Sequence, residues 1–180
     1  MRASSGMAAI TLALAATMAP AQTVPPEVVS ALIQPQFSGA TRMKFLGMGI
    51  YDAKLWTGAG FKPAQFAEFP LALELSYLRS LSGSAIAKRS LDEMRRGGSI
   101  DAASEKRWLA AMQEAFPDVK AGDRITGVHT PGEGARFWYN GQLRATLRDP
   151  EFSRLFFGIW LSPATSEPRL RTELLLRAGP

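Results

Sequence analysis

Residues 42–56 read RMKFLGMGIYDAKLW. One parity carries Met43, Phe45, Gly47, Gly49 and Tyr51, and the other carries Leu46, Met48 and Ile50 behind Arg42 and Lys44, so both pleat faces are largely apolar. The pattern predicts a long central strand covered on both sides. Gly47 and Gly49 fall two residues apart on one face, where the missing side chains admit a helix, a ligand or another backbone. Arg42 shares the parity of Leu46, Met48 and Ile50, which sets its guanidinium against apolar surface and requires an anion to meet it.

Outward from this stretch the chain punctuates itself clearly. Before it, residues 23–36 hold three prolines and the apolar group Val28, Val29, Leu32 and Ile33, which fits one turn of helix or a short strand. After it, Gly58 to Pro70 reads as a connection. In LALELSYL, Leu71, Leu73, Leu75 and Tyr77 alternate with Glu74 and Ser76, a strand with one covered and one wetter face. Ser82 caps a helix over 85–96 with Ala87, Leu91 and Met94 on its inner face, and Asp101 caps a second over 102–116. From Asp123 to Arg148 the period becomes two, with an Asn140-Gly141 turn, so a β-meander follows. If positions pair symmetrically about that turn, Arg136, Trp138, Leu143, Ala145 and Leu147 share one face and Arg136 points inward; a position at the rim, with the side chain reaching water, is the alternative. Asp149 and Pro150 open a helix over 150–161 that is apolar nearly all round, and a last helix spans 167–177. The sum is an α+β domain, a large antiparallel sheet with helices segregated to one side.

At 180 residues, 46% of them hydrophobic, the chain is one domain's worth with enough length for a real core. The first 21 residues differ: Arg2, an apolar run from Met7 to Ala19 without acids, then Ala19, Pro20 and Ala21 as a small-x-small site. This is the pattern of a signal peptide over 1–21 ahead of a domain over 22–180. The run is shorter than the roughly 20 residues of a membrane span, so the expectation is an exported protein with no stable membrane span after processing, periplasmic if the source is Gram-negative. With no cysteine, the fold has no disulfides and must rest on its core.

The chain has 21 basic and 16 acidic residues, a mild excess, and after Arg2 the bases scatter from Arg42 to Arg177, which argues against a nucleic-acid stripe. His129 is the one histidine, lying among strand residues, so a histidine metal cluster is impossible and a catalytic base is less natural than a structural role. Gly132 to Gly134 sits between two strands as a turn rather than a phosphate loop. No metal or cofactor is expected. What remains is apolar surface plus arginine, the chemistry of binding an amphipathic anion.

Four stretches, SGATRMKFLGMGIYDAKLW, LELSYLRSLSGSAIAKRSLDEM, FPDVKAGDRITGVHTPGEGARFWYNGQ and DPEFSRLFFGIWLSPATSEPRLRTELL, together resemble the chalcone isomerase-like family in its own order. The resemblance implies an open-faced β-sandwich with a ligand cleft between the sheet and a helical layer. Plant members of the family cyclise chalcones, and others resemble fatty-acid-binding proteins without that activity. The family's arginine near the start of the long strand matches Arg42. The substrate-polarising threonine falls at Leu46, the tyrosine and asparagine of the next helix fall near Ile86 and Glu93, and the late helix's threonine or serine falls near Ile159. Only the cation is retained, whereas cyclisation needs a polarised carbonyl as well.

The expectation is therefore a non-catalytic binding protein for a small apolar acid such as a fatty acid. Arg42 would meet the carboxylate, with Leu46, Met48, Tyr51, Ile86, Arg136, Phe156 and Ile159 at or around the ligand. The alternative is an isomerase or lyase on a conjugated, chalcone-like substrate, using Arg42 as electrophile and Tyr51 as donor.

Overall fold

The computed structural model describes residues 23–178. Six antiparallel strands form one sheet in simple sequential order: β1 (Gln36–Phe45), β2 (Met48–Thr57), β3 (Leu71–Tyr77), β4 (Arg124–Thr130), β5 (Gly134–Tyr139) and β6 (Gln142–Leu147). The stretch 42–56 is thus two strands and a turn rather than one strand. Leu46 and Gly47 take φ of 49° and 79°. Positive φ at both central positions is the requirement of a two-residue type I′ turn, which joins twisted antiparallel strands. Apolar residues on both parities disguised the reversal, and β1 lies at the sheet's edge instead of its centre.

The glycines follow from this correction. Gly47 serves the turn, and a Cβ there would meet nothing within 4 Å. The close approach occurs at Gly39, where a Cβ would lie 2.2 Å from the carbonyl oxygen of Glu173. Helix α5 (Pro168–Leu174) lies there against β1, and the Arg177 amide donates to the Ser38 carbonyl just beyond it.

The helices form where their caps and periodicity place them. α2 (Gly83–Gly97) starts at Ser82, whose hydroxyl accepts from the Ala85 amide, and α3 (Ala102–Ala115) starts at Asp101, which accepts from the amides of Ala103 and Ser104. α4 (Pro150–Leu161) is capped by Asp149 through the Phe152 amide. Burial raises the Asp149 carboxyl's pKa, but the Phe152 amide, the Trp108 indole and Arg107 together outweigh it, so it stays below the ordinary range. α4 buries Phe152, Leu155, Phe156, Phe157, Trp160 and Leu161, as its lack of a polar face demands. α5 ends earlier than the sequence suggests.

One sheet face carries Ala53, Leu55, Leu71, Leu73, Leu75, Ile125 and Phe137, covered by α2, α3, α4 and α5. The second face is only partly covered. There α1 (Pro26–Ala31) sets Val28, with Leu32 just after it, on Trp56, Ala72, Val128 and Trp138. This settles the proline-rich segment as helix. Beside that patch Glu74 is buried, contrary to the wetter face expected of it, because Lys54 and Arg124 flank it at 3.4 and 3.7 Å.

The β5–β6 pairing starts as the Asn140-Gly141 turn dictates, with Tyr139 opposite Gln142 and Trp138 opposite Leu143, then slips so that Phe137 meets Ala145. The extra residue, Arg144, is a bulge that changes which face β6 presents. The core set is therefore Phe137, Tyr139, Ala145 and Leu147, and Arg136 with Trp138 lies on the other face.

Candidate functional site

Between the sheet and the helices lies a cavity of about 360 Å³, within the range of small-molecule sites. Its floor is the sheet, with Tyr51, Leu75, Tyr77 and Ile125. α2 supplies a stripe at helical spacing, Ile86, Arg89, Ser90 and Glu93, one step round from the core-packing Ala87, Leu91 and Met94. α4 contributes Phe156, Ile159 and Trp160, and Glu167 and Leu170 close the end beside β1. The lining is overwhelmingly apolar.

The polar groups concentrate on a few side chains. The Tyr51 hydroxyl accepts from the Trp160 indole N–H at 3.0 Å. Burial pushes the Tyr51 phenol up to about 12, outweighing the opposing effect of the indole N–H, so it is a neutral hydrogen-bond donor at any ordinary pH. Tyr77 stands edge-on to it at 6.0 Å, and burial raises its phenol too. Arg89 meets Glu93 at 2.5 Å, with its guanidinium largely in solvent and the Glu93 carboxylate mostly buried. One oxygen of that carboxylate, Oε2, is buried without a hydrogen-bond partner among the described residues.

The sequence-derived site residues divide. Tyr51, Ile86, Phe156 and Ile159 line the cavity. Arg42 does not: it lies on the opposite face, opposite Asp52 in the β1–β2 ladder, and holds that carboxylate through two hydrogen bonds of 2.6 and 2.8 Å. The anion it requires is a neighbour within the chain, and the reading of the stretch as one strand concealed their pairing. Leu46 caps the hairpin and Met48 follows it, both exposed. Arg136 does not point into the cavity: it stands half-buried over the Trp138 ring at 5.4 Å on the far face. Among the lining residues that the sequence reading did not place there are Arg89, Tyr77, Met43, Leu75 and Ile125; the helical stripe from Ile86 to Glu93 was the available signal for the first.

His129 is buried and satisfied. Its Nε2–H donates to the Ala67 carbonyl at 2.9 Å, and Nδ1 lies 2.6 Å from the Ser153 hydroxyl, which also stands 3.0 Å from the Gly134 carbonyl. Among the described residues no cluster of three or more His, Asp or Glu side chains is placed to hold a metal ion.

The sequence profile of the chalcone isomerase-like family matches residues 36–176. The chain belongs to the chalcone isomerase-like family. An uncharacterised protein of Haemophilus influenzae is 30% identical over 126 residues, which cover 70% of this chain and 60% of that relative's length. A fatty-acid binding protein of Arabidopsis thaliana superposes with a TM-score of 0.62 at 12% identity, covering 85% of this chain and 95% of the plant protein. The plant protein and this chain therefore share the α+β fold, an open antiparallel sheet carrying helices. No helix among the described residues is long and apolar enough to cross a membrane.

Proposed function

We propose that this chain is an exported binding protein for a small amphipathic acid such as a fatty acid, with the apolar tail in the cavity and the carboxylate at Arg89 and Tyr51. The observation that carries this reading is the cavity itself, an apolar space of about 360 Å³ with a neutral phenol in its floor and a cation on its wall. The structural likeness to a fatty-acid binding protein supports it. Arg89 takes the role that the sequence reading gave to Arg42, because Arg89 lines the cavity beside its partner Glu93 whereas Arg42, held by Asp52, lies outside it. Two of the wall positions matched to polar groups of the plant isomerases are Ile86 and Ile159, which have nothing to polarise a carbonyl with, and this favours binding over turnover. Export rests on Arg2, the apolar run and the Ala19-Pro20-Ala21 site.

The test is a titration with a fatty acid, its matched alcohol and its matched amine on the wild type, Arg89→Met and Arg42→Met. The reading expects the acid to bind best, Arg89→Met to weaken it roughly tenfold or more, as loss of a charge-assisted hydrogen bond does, and Arg42→Met to leave it unchanged. Preference for the amine would instead assign the head-group site to Glu93 and Glu167. Intact mass of exported protein beginning at Gln22 checks the processing.

A further inference from the structure

The β1–β2 hairpin ends in an apolar surface that no other described residue covers. Phe45 is 59% exposed, Leu46 82%, Met48 47%, and Leu78, which follows β3 and packs beside Gly49, is 37% exposed. Isolated exposed apolar residues need no explanation, but four large ones gathered at one tip mark an interaction surface. Two cations flank them. Lys44 is exposed, and Arg79 reaches across to the Met48 sulfur at 3.4 Å; neither has an ion-pair partner among the described residues. The nearby acid, Asp52, is already held by Arg42. The tip is also continuous with the ligand site, since Met43, Phe45 and Ile50 line the cavity.

An apolar wedge bearing unpaired cations, at the rim of a cavity, matches a surface with hydrocarbon below and negative charge above. We propose that the β1–β2 tip docks on an anionic lipid surface, so that the cavity takes up or delivers its amphipathic ligand at the membrane. The uptake half of this statement rests on the function proposed above, while the docking half stands on the tip alone. Leu46, Met48 and Leu78 would enter the acyl boundary and Lys44 and Arg79 would meet phosphate groups. Phe45, shared by tip and cavity, would form the threshold.

The experiment uses protein recovered from the compartment it is exported to, with vesicles of phosphatidylcholine alone or mixed with phosphatidylglycerol. Wild type and variants share one N-terminus, so any contribution from residues 1–22 cancels. The wild type is expected to float with the phosphatidylglycerol vesicles and to be released by salt. Lys44→Ser with Arg79→Ser should weaken flotation roughly fivefold per charge removed. Leu46→Asn with Met48→Ser should weaken it roughly tenfold or more through lost acyl burial, and Asn suits the positive φ of the turn, so the fold survives. None of these four residues lines the cavity, so fatty-acid titration without vesicles should be unchanged in both variants. Equal flotation of both variants and the wild type, or no flotation of a wild type that binds fatty acid normally, overturns the docking surface alone. A wild type that floats but binds no fatty acid, alcohol or amine leaves docking standing and overturns uptake. Self-association that the Leu46→Asn, Met48→Ser variant abolishes, without vesicle binding, assigns the tip to a second copy of the chain and overturns the lipid surface.

Discussion

Trp160 of α4 donates its indole N–H to the Tyr51 hydroxyl of β2 across 3.0 Å, joining the helical layer to the sheet inside the cavity wall. The bond makes the phenol an acceptor from the protein, and its own proton has no acceptor among the described residues, which leaves it for the ligand oxygen proposed above. Tyr51→Phe should have two separable effects. Folding stability should fall by about 1–3 kcal/mol, the cost of leaving a buried donor without an acceptor, read from a denaturant midpoint. Fatty-acid affinity should fall more than that of the corresponding hydrocarbon, which has no head group to lose a donor.

The Arg42–Asp52 pair tests where the functional cation is. The hydrogen bond from Arg42 is the main cause holding the Asp52 carboxyl below the usual carboxylate range, and the pair sits largely in solvent. Exposed ion pairs contribute little after screening and side-chain ordering. Arg42→Met should therefore leave the melt nearly unchanged, with any small effect vanishing in high salt, and leave ligand affinity intact. A large loss of fatty-acid binding on this substitution would return Arg42 to the ligand.

Much of the fold was legible because it rests on local signals. Ser82, Asp101 and Asp149 cap the helices that the sequence assigns to them, and Asn140-Gly141 makes its turn. The hairpin at Leu46 was hidden because leucine, unlike asparagine or glycine, carries no turn signal; the sheet imposes φ of 49° on it. That single reversal moved Arg42, Leu46 and Met48 off the cavity. The bulge at Arg144 hid the face of Arg136 for a related reason, since one inserted residue inverts a period of two. Tyr51, Ile86, Phe156 and Ile159 do line the cavity, because each lies inside an element whose covered face is set by many apolar neighbours.

His129 gives the protein a pH dependence of definite sign. Burial beside Phe157 lowers its pKa from the ordinary value, opposed by the hydrogen bond to the Ala67 carbonyl. A group harder to protonate in the folded chain binds more protons when unfolded, so stability rises with pH over its window. The loss should begin as pH falls below about 6.5, the pKa of an unfolded histidine, and continue to the lower folded value. The depressed carboxylates act in a lower window: Asp149, and by much less the exposed Asp52 and Glu151, contribute stability that is lost progressively as pH falls from the unfolded carboxyl range through their lower folded values. The two windows separate in a series of denaturant melts, and His129→Gln should flatten the upper one while lowering stability throughout.

Gly39 joins the edge strand to the helix that closes the cavity. A Cβ at this position would lie 2.2 Å from the Glu173 carbonyl oxygen and 2.5 Å from that of Leu174, both backbone atoms that cannot turn aside. α5 would have to lift away from β1 as a unit. Nearby, Leu170 and Glu167 line the cavity, and Leu174 is fully buried in the core. Gly39→Ala should thus cost about 1–3 kcal/mol, the range of overpacking in a closed site, and should also weaken fatty-acid binding although residue 39 does not line the cavity. Gly47→Ala is the control. Its Cβ meets nothing, so it should strain only the turn and lower stability without touching affinity. If Gly39→Ala lowers the denaturant midpoint yet binds fatty acid as the wild type does, α5 is a structural clasp and not a wall of the ligand site.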